Sequence, residues 1–134
     1  MDGADRLAVA ELDAGDEQAT IIIKAVVRSF EFWGLSNREA AELFNVPSAT
    51  WSRMKAGGFK GRLDQDRKTR ASLIIGIFKG LRLFFNGPLT YGWPKSANSG
   101  PIFAGMTPTA YMIDGGIPAM LKVRHYIDGL RGGL

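Results

Sequence analysis

Apolar side chains fall into register from residue 22 onward. Ile22, Val26, Phe30 and Trp33 recur every three or four positions, Ile23 and Val27 widen the stripe, and Gly34 stops it. That period predicts a helix from Asp16, buried along one side. Residues 1–15 lack the period and are expected to form a flexible arm. A second signal begins at Ser36, a helix cap, with Glu39 three residues on to complete a capping box. This helix is expected to end near Phe44, where Asn45 tolerates the left-handed turn and Pro47 opposes continuation. Ser48 is then expected to cap a second short helix that runs to about Ala56 and closes at Gly57 and Gly58.

The next apolar stripe, Ile74, Ile77, Phe78, Leu81 and Phe85, predicts a long helix from about Asp64 to Phe85. Asp64 and Asp66 suit its positive N-terminal end, and Gly76 and Gly80 suit close packing against another helix. Residues 86–106 are rich in Gly, Pro, Asn and Ser and mark a boundary. Thr107 and Pro108 open a short helix that stops at Gly115 and Gly116, and Pro118 begins a last one faced by Met120, Val123, Ile127 and Leu130. No segment alternates as a strand would. The expectation is an all-α chain, with a helix-turn-helix domain over residues 16–86 packed against a small helical domain over 87–134.

Bulk properties narrow the chemistry. The chain has 134 residues, 46% hydrophobic and 22% charged, which suits one folded domain or two small helical subdomains sharing a core. It has no cysteine, so disulfides, thiolate metal sites and thiol nucleophiles are excluded, and a cytoplasmic location is expected. The acidic start does not read as a signal peptide. The longest uncharged run, residues 96–113, holds four Gly or Pro residues, so no membrane association is expected. His125 is the single histidine, and apart from Asp128 three residues on, no nucleophile or metal ligand accompanies it. It reads as a surface residue, and the chain is expected to be neither an enzyme nor a cofactor or metal binder.

Charge is distributed unevenly. Residues 1–20 carry six acids against Arg6, whereas residues 53–82 carry nine bases against Asp64 and Asp66. A basic stretch beside two short helices joined by a tight turn is the pattern of a helix-turn-helix, whose second helix enters the major groove of DNA. Ala40, Leu43 and Phe44 can face its core, Val46 can fill the turn, Trp51 can plug in from the second helix, and Ala41 permits a close crossing. Ser48, Ala49, Thr50, Ser52, Arg53 and Lys55 are left for the exposed side, and Asn37 joins them from the first helix. Hydroxyls there can meet phosphates or base edges, and Arg53 can bind guanine with two hydrogen bonds. Lys60, Arg62 and the basic start of the long helix are expected to neutralise phosphates.

Residues 35–57 resemble the helix-turn-helix of Xre-type repressors, with Asn45 where that family usually has glycine and Trp51 where it usually has an aliphatic residue. The C-terminal stretch is similar to the toxin-binding domain of the Xre/MbcA/ParS antitoxin family. It carries that pattern in Asn98, Pro101, Phe103, Gly105, Thr107-Pro108, Met112, Gly115-Gly116, Val123-Arg124, Tyr126 and Arg131-Gly132-Gly133. The resemblance implies a type II antitoxin whose partner is a RES-domain toxin that consumes NAD, and whose C-terminal helix and tail cover the toxin's active site. Arg124, Tyr126, Arg131, Gly132, Gly133 and Leu134 are the residues this implies for toxin binding. Arginines and a terminal carboxylate can stand in for substrate contacts, and glycines let backbone approach closely.

Operators with two-fold symmetry call for a homodimer or a larger toxin-antitoxin assembly. Two other classes fit the same residues. One is a helix-turn-helix regulator with no toxin partner. The other is a pure inhibitor whose helix-turn-helix, made atypical by Trp51, serves dimerisation.

Overall fold

The computed structural model describes the backbone of residues 3–132 and side chains from Gly15 onward. It is all-helical: α1 (Gly3–Trp33), α2 (Asn37–Phe44), α3 (Ser48–Ala56), α4 (Gln65–Phe84), α5 (Leu89–Gly92), a 3-10 turn (Trp93–Lys95) and α6 (Pro108–Arg131). No strand occurs among the described residues. Helix α1 starts at Gly3, so helical backbone occupies the stretch the apolar period left as an arm.

The first three helices end alike. Gly34, Asn45 and Gly57 are left-handed, with φ of 71°, 59° and 82°. In each case the next residue's amide reaches back over the turn: Leu35 to the Phe30 carbonyl at 3.0 Å, Val46 to Ala41 at 3.0 Å and Gly58 to Arg53 at 2.8 Å. These are Schellman closures, which satisfy carbonyls that a helix end would otherwise strand. Helix α2 begins with the expected capping box: the Glu39 amide donates to Ser36 Oγ and the Ser36 amide to Glu39 Oε1. Helix α3 departs from expectation, because Pro47 holds the cap position and Ser48 is already the first helical residue.

One core runs through the molecule. From α1 it takes Ala19, Ile23, Val26, Phe30 and Trp33, with Ile22 and Val27 only partly buried beside them. Trp51 lies 5.5 Å from Phe30 and 6.3 Å from Phe44 between ring centroids, so the large indole fills the space between α1 and α2. The indole N–H groups of Trp33 and Trp51 are buried without a hydrogen-bond acceptor, a cost that the aromatic area removed from water offsets. Helix α4 contributes Ala71, Leu73, Ile74, Ile77 and Leu81, and α6 contributes Met112, Met120, Val123 and Ile127.

Helices α4 and α6 approach closely where the two glycines stand. A Cβ on Gly80 would lie 2.7 Å from Ile127 Cγ2, and one on Gly76 would fall on the Arg124 guanidinium. Helix α6 is one helical run broken at Gly116 (φ 64°, ψ −151°), a conformation open essentially to glycine alone. Pro118 sits just past the break, in the first turn of the second segment, where its missing N–H leaves no carbonyl unpaired.

The segment read as a boundary enters the core. Phe103 is fully buried, and Trp93 is buried beside it with their ring centroids 5.6 Å apart. Buried Thr109 Oγ1 donates to the Pro94 carbonyl at 2.7 Å and ties the start of α6 to the 3-10 turn. Asn98 closes its own loop: its Oδ1 accepts from the Gly100 amide, and its backbone pairs with Gly105 and Met106. The two halves therefore share one apolar cluster. Among the described residues, no helix is long and apolar enough to cross a membrane.

Candidate nucleic-acid interface and partner surface

Helices α2 and α3 pack through Ala40, Ala41, Leu43 and Phe44 against Trp51 and Met54. This fixes which side of α3 faces outward. Ser48, Ala49, Ser52, Arg53 and Lys55 are exposed and Thr50 is half-buried. Arg53 Nη2 donates to Thr50 Oγ1 at 3.3 Å, and Lys55 Nζ donates to Asn37 Oδ1 at 3.0 Å. The second bond couples the C-terminal turn of α3 to the start of α2. No side chain caps α3, so its first-turn amides have no side-chain acceptor. Uncapped amides at a helix start, hydroxyls and an arginine form a surface suited to a polyanion.

Among the described residues, no carboxylate forms an ion pair with Arg53 or Lys55. Helix α3 has no acid, and the acids of α2 are paired elsewhere: Glu42 with Arg38 at 3.2 Å, and Glu39 with Lys95. Burial opposes ionisation of Glu39. The hydrogen bond and charge of Lys95, together with the Ser36 amide and hydroxyl, outweigh that and hold its carboxyl below the usual carboxylate range.

The basic start of α4 is largely used inside the fold, which corrects one sequence expectation. Arg67 pairs with Asp64 at 2.8 Å and donates to the Asn45 carbonyl. Arg70, 11% exposed at its side chain, pairs with Asp66 at 2.9 Å and donates to the Leu43 carbonyl at 3.0 Å. Both guanidinium groups thus cap the C-terminal, negative end of α2. Their spacing in the sequence carried no sign of this, because the carbonyls they meet lie more than twenty residues away. Lys60, Arg62 and Lys68 are exposed, and Arg62 also lies against Gly15 of α1 and helps line a small cavity of about 250 Å³.

The second set of residues divides across α6. Arg124 and Arg131 both pair with Asp128, at 3.2 and 3.4 Å, on the side of α6 that faces α4. Asp128 is therefore engaged by arginines, and His125 stands exposed without it. Tyr126 points the other way and stacks on Trp93, with ring planes 14° apart and centroids at 6.1 Å, edge-on to Phe103. Tyr126 thus helps build the C-terminal half, while Arg131 and Gly132 are exposed at the end of α6. Gly133 and Leu134 lie outside the described residues.

With this geometry established, comparison with known proteins places the helix-turn-helix. Residues 19–76 match the family described as the antitoxin Xre-like helix-turn-helix domain. Over 113 residues the chain is 30% identical to "Uncharacterized protein y4oB" of Sinorhizobium fredii, an alignment covering 83% of this chain and 84% of that protein. No solved structure gives a significant match. The matched domain begins in α1, where Ala19 starts the core-facing stripe, and ends in α4 at Gly76. It contains every residue that the sequence leads one to expect at DNA.

Proposed function

We propose that the chain, whose residues 19–76 match the antitoxin Xre-like helix-turn-helix domain, is the antitoxin of a type II toxin-antitoxin pair in the cytoplasm. It represses its own operon through α3 and neutralises a RES-domain, NAD-degrading toxin with the end of α6 and the tail beyond it. The observation that carries the DNA half is the outward face of α3: uncapped first-turn amides, exposed Ser48, Ser52 and Arg53, and no carboxylate on the helix. Phosphates meet the amides, hydroxyls and Lys55, and Arg53 reads a base edge.

Gel-shift titration on the chain's own promoter tests this half. The expected result is specific binding that weakens steeply as salt rises, because neutralised phosphates release counterions. Binding no tighter than to unrelated DNA would remove the repressor role.

The toxin half draws support from the end of α6, where Gly132 and Arg131, the latter paired with Asp128, are exposed, and from the C-terminal resemblance. A guanidinium at the tip and a glycine backbone behind it suit entry into a cleft that binds a phosphorylated substrate. Co-expression with the adjacent RES-domain protein tests it: a stable complex and restored growth are expected. Failure of both in a folded protein would leave the second reading, a DNA-binding regulator with no toxin partner. That alternative is favoured by one observation, that the matched family domain stops at residue 76.

A further inference from the structure

The end of α2 is closed in two layers. Backbone closes the first: the amides of Asn45 and Val46 use the Glu42 and Ala41 carbonyls. The Leu43 and Asn45 carbonyls, on either side of the buried Phe44, are taken by Arg70 and Arg67 of α4. Each guanidinium is gripped at its other edge by a carboxylate at the start of α4: Arg67 Nη1 donates to Asp64 Oδ2 at 2.8 Å and Arg70 Nε to Asp66 Oδ1 at 2.9 Å. Both side chains are thus held at two points, and only 26% of the first and 11% of the second is exposed. The last nitrogen of Arg70 faces the break in α6, where a Cβ on Gly116 would lie 3.6 Å from Nη2. Arg70 is enclosed by α2, α4 and α6 together.

Helix α3 has few other restraints. Asn45, Val46 and Pro47 alone join it to α2, and it has no side-chain cap. Among the described residues its one side-chain hydrogen bond to another element runs from Lys55 to Asn37 of α2. The angle of α3 against the body therefore depends on the packing of Trp51 and Met54 and on where the turn is held. We infer that Arg67 and Arg70 are positioning residues for operator recognition: they fix the α2–α3 turn to α4 and set the angle at which α3 meets the major groove, without touching DNA. The inference rests on the DNA-binding reading of α3.

Positioning and phosphate binding have different signatures. Attraction between a cation and a polyanion tolerates a tilt of α3, whereas a two-hydrogen-bond contact from Arg53 to a base edge does not, because hydrogen bonds weaken steeply away from their preferred angle. A loosened turn therefore costs specific binding and spares non-specific binding. A lost phosphate ligand weakens binding to every sequence and lowers its salt dependence. Lysine separates the two roles: it keeps the charge but lacks the planar fork that holds a carboxylate and a carbonyl in one fixed geometry.

Fluorescence-anisotropy titration of the full chain on its own promoter and on unrelated DNA, over a range of salt, tests this, with folding checked by circular dichroism. Arg70→Lys is expected to weaken promoter binding by about tenfold, within the worth of one bidentate base contact, and to leave affinity for unrelated DNA as in wild type. Loss of fold would lower both affinities alike. If Arg70→Lys proves unfolded, the more exposed Arg67→Lys takes its place with the same expected result. Arg67→Gln is expected to keep the wild-type slope of log affinity against log salt. A fall of about 0.9 in that slope would make Arg67 a phosphate ligand and overturn the inference. So would full promoter affinity in both lysine variants, or an equal loss on both DNAs in folded protein. A wild type that does not prefer its own promoter removes the DNA reading of α3, and the positioning role with it.

Discussion

The helix-turn-helix and the C-terminal half are assembled by different means. Between Gly34 and Gly58 nearly every boundary is set by residues within five positions of it: a capping box at Ser36, a left-handed Asn45, a proline at 47 and a left-handed Gly57. Between Pro88 and Arg131 the decisive contacts reach further. Thr109 bonds Pro94, Tyr126 stacks on Trp93, and Gly76 and Gly80 admit α6. The first region is a local construction that presents a surface. The second is held in shape by the packing of α6 on α4, and is tied to the first by the Glu39–Lys95 pair. Two surfaces for two partners can thus sit on one body without being two independently folding modules.

The strongest attempt to break that view is Phe103→Ala. Emptying a fully buried aromatic site costs about 3–5 kcal/mol. If the halves share one core, thermal unfolding followed by near-ultraviolet and far-ultraviolet dichroism shows a single transition shifted down in both signals. Two separated transitions would divide the molecule after all.

Next in size is a change that should act on one surface alone. Arg53→Ala is expected to weaken operator binding by about tenfold to a hundredfold, the worth of a bidentate base contact, with Tm and toxin capture unchanged. Deleting residues 131–134 is expected to do the reverse. Equal damage to both activities from either change, in folded protein, would end the assignment of separate surfaces.

Gly80→Val then probes the α4–α6 contact. Its Cβ would meet the buried Ile127, and overpacking of this kind costs about 1–3 kcal/mol in chemical denaturation. Gly92, whose Cβ would meet nothing, serves as the control, and Gly92→Ala should leave the denaturation midpoint almost unmoved.

The smallest expected effect concerns the link between the halves. The carboxyl of Glu39 is held below its usual 4.5, so the stability it contributes is present above that pH and is lost as the pH falls through the lowered value. Glu39→Gln keeps the capping geometry but removes the charge facing Lys95. Its Tm should fall by about 2–4 °C at neutral pH. The difference from wild type should shrink as the medium is acidified below about 4.5. A gap that stays constant with pH would mean the charge of Glu39 contributes nothing.

How much of this was legible beforehand follows the same division. The helices from α1 to α4 were readable to within a residue or two at most ends, because caps and turns act over short distances. Two exceptions are the start of α1, which precedes the apolar period, and Ser48, which proline displaced from the cap. Arg67 and Arg70 read as phosphate ligands, yet they cap α2. His125 read as a surface residue and is exposed, and the two arginines that hold Asp128 were not foreseen. Tyr126 read as a toxin contact, and its packing on Trp93 was not foreseen. Each of these polar or aromatic groups had several local options, and partners distant in sequence chose among them.

The amino-acid order by itself determined the all-helical class, the helix-turn-helix with Arg53 on its outer face, and the segregation of charge along α1. All three follow from period, capping and composition within one or two helical turns. Only the tertiary structure decided that residues 86–106 enter the core, that the two glycines of α4 receive α6, and which arginines remain for a partner. Those outcomes depend on which surfaces meet once the chain collapses, and burial rewards contacts regardless of how far apart they lie in sequence.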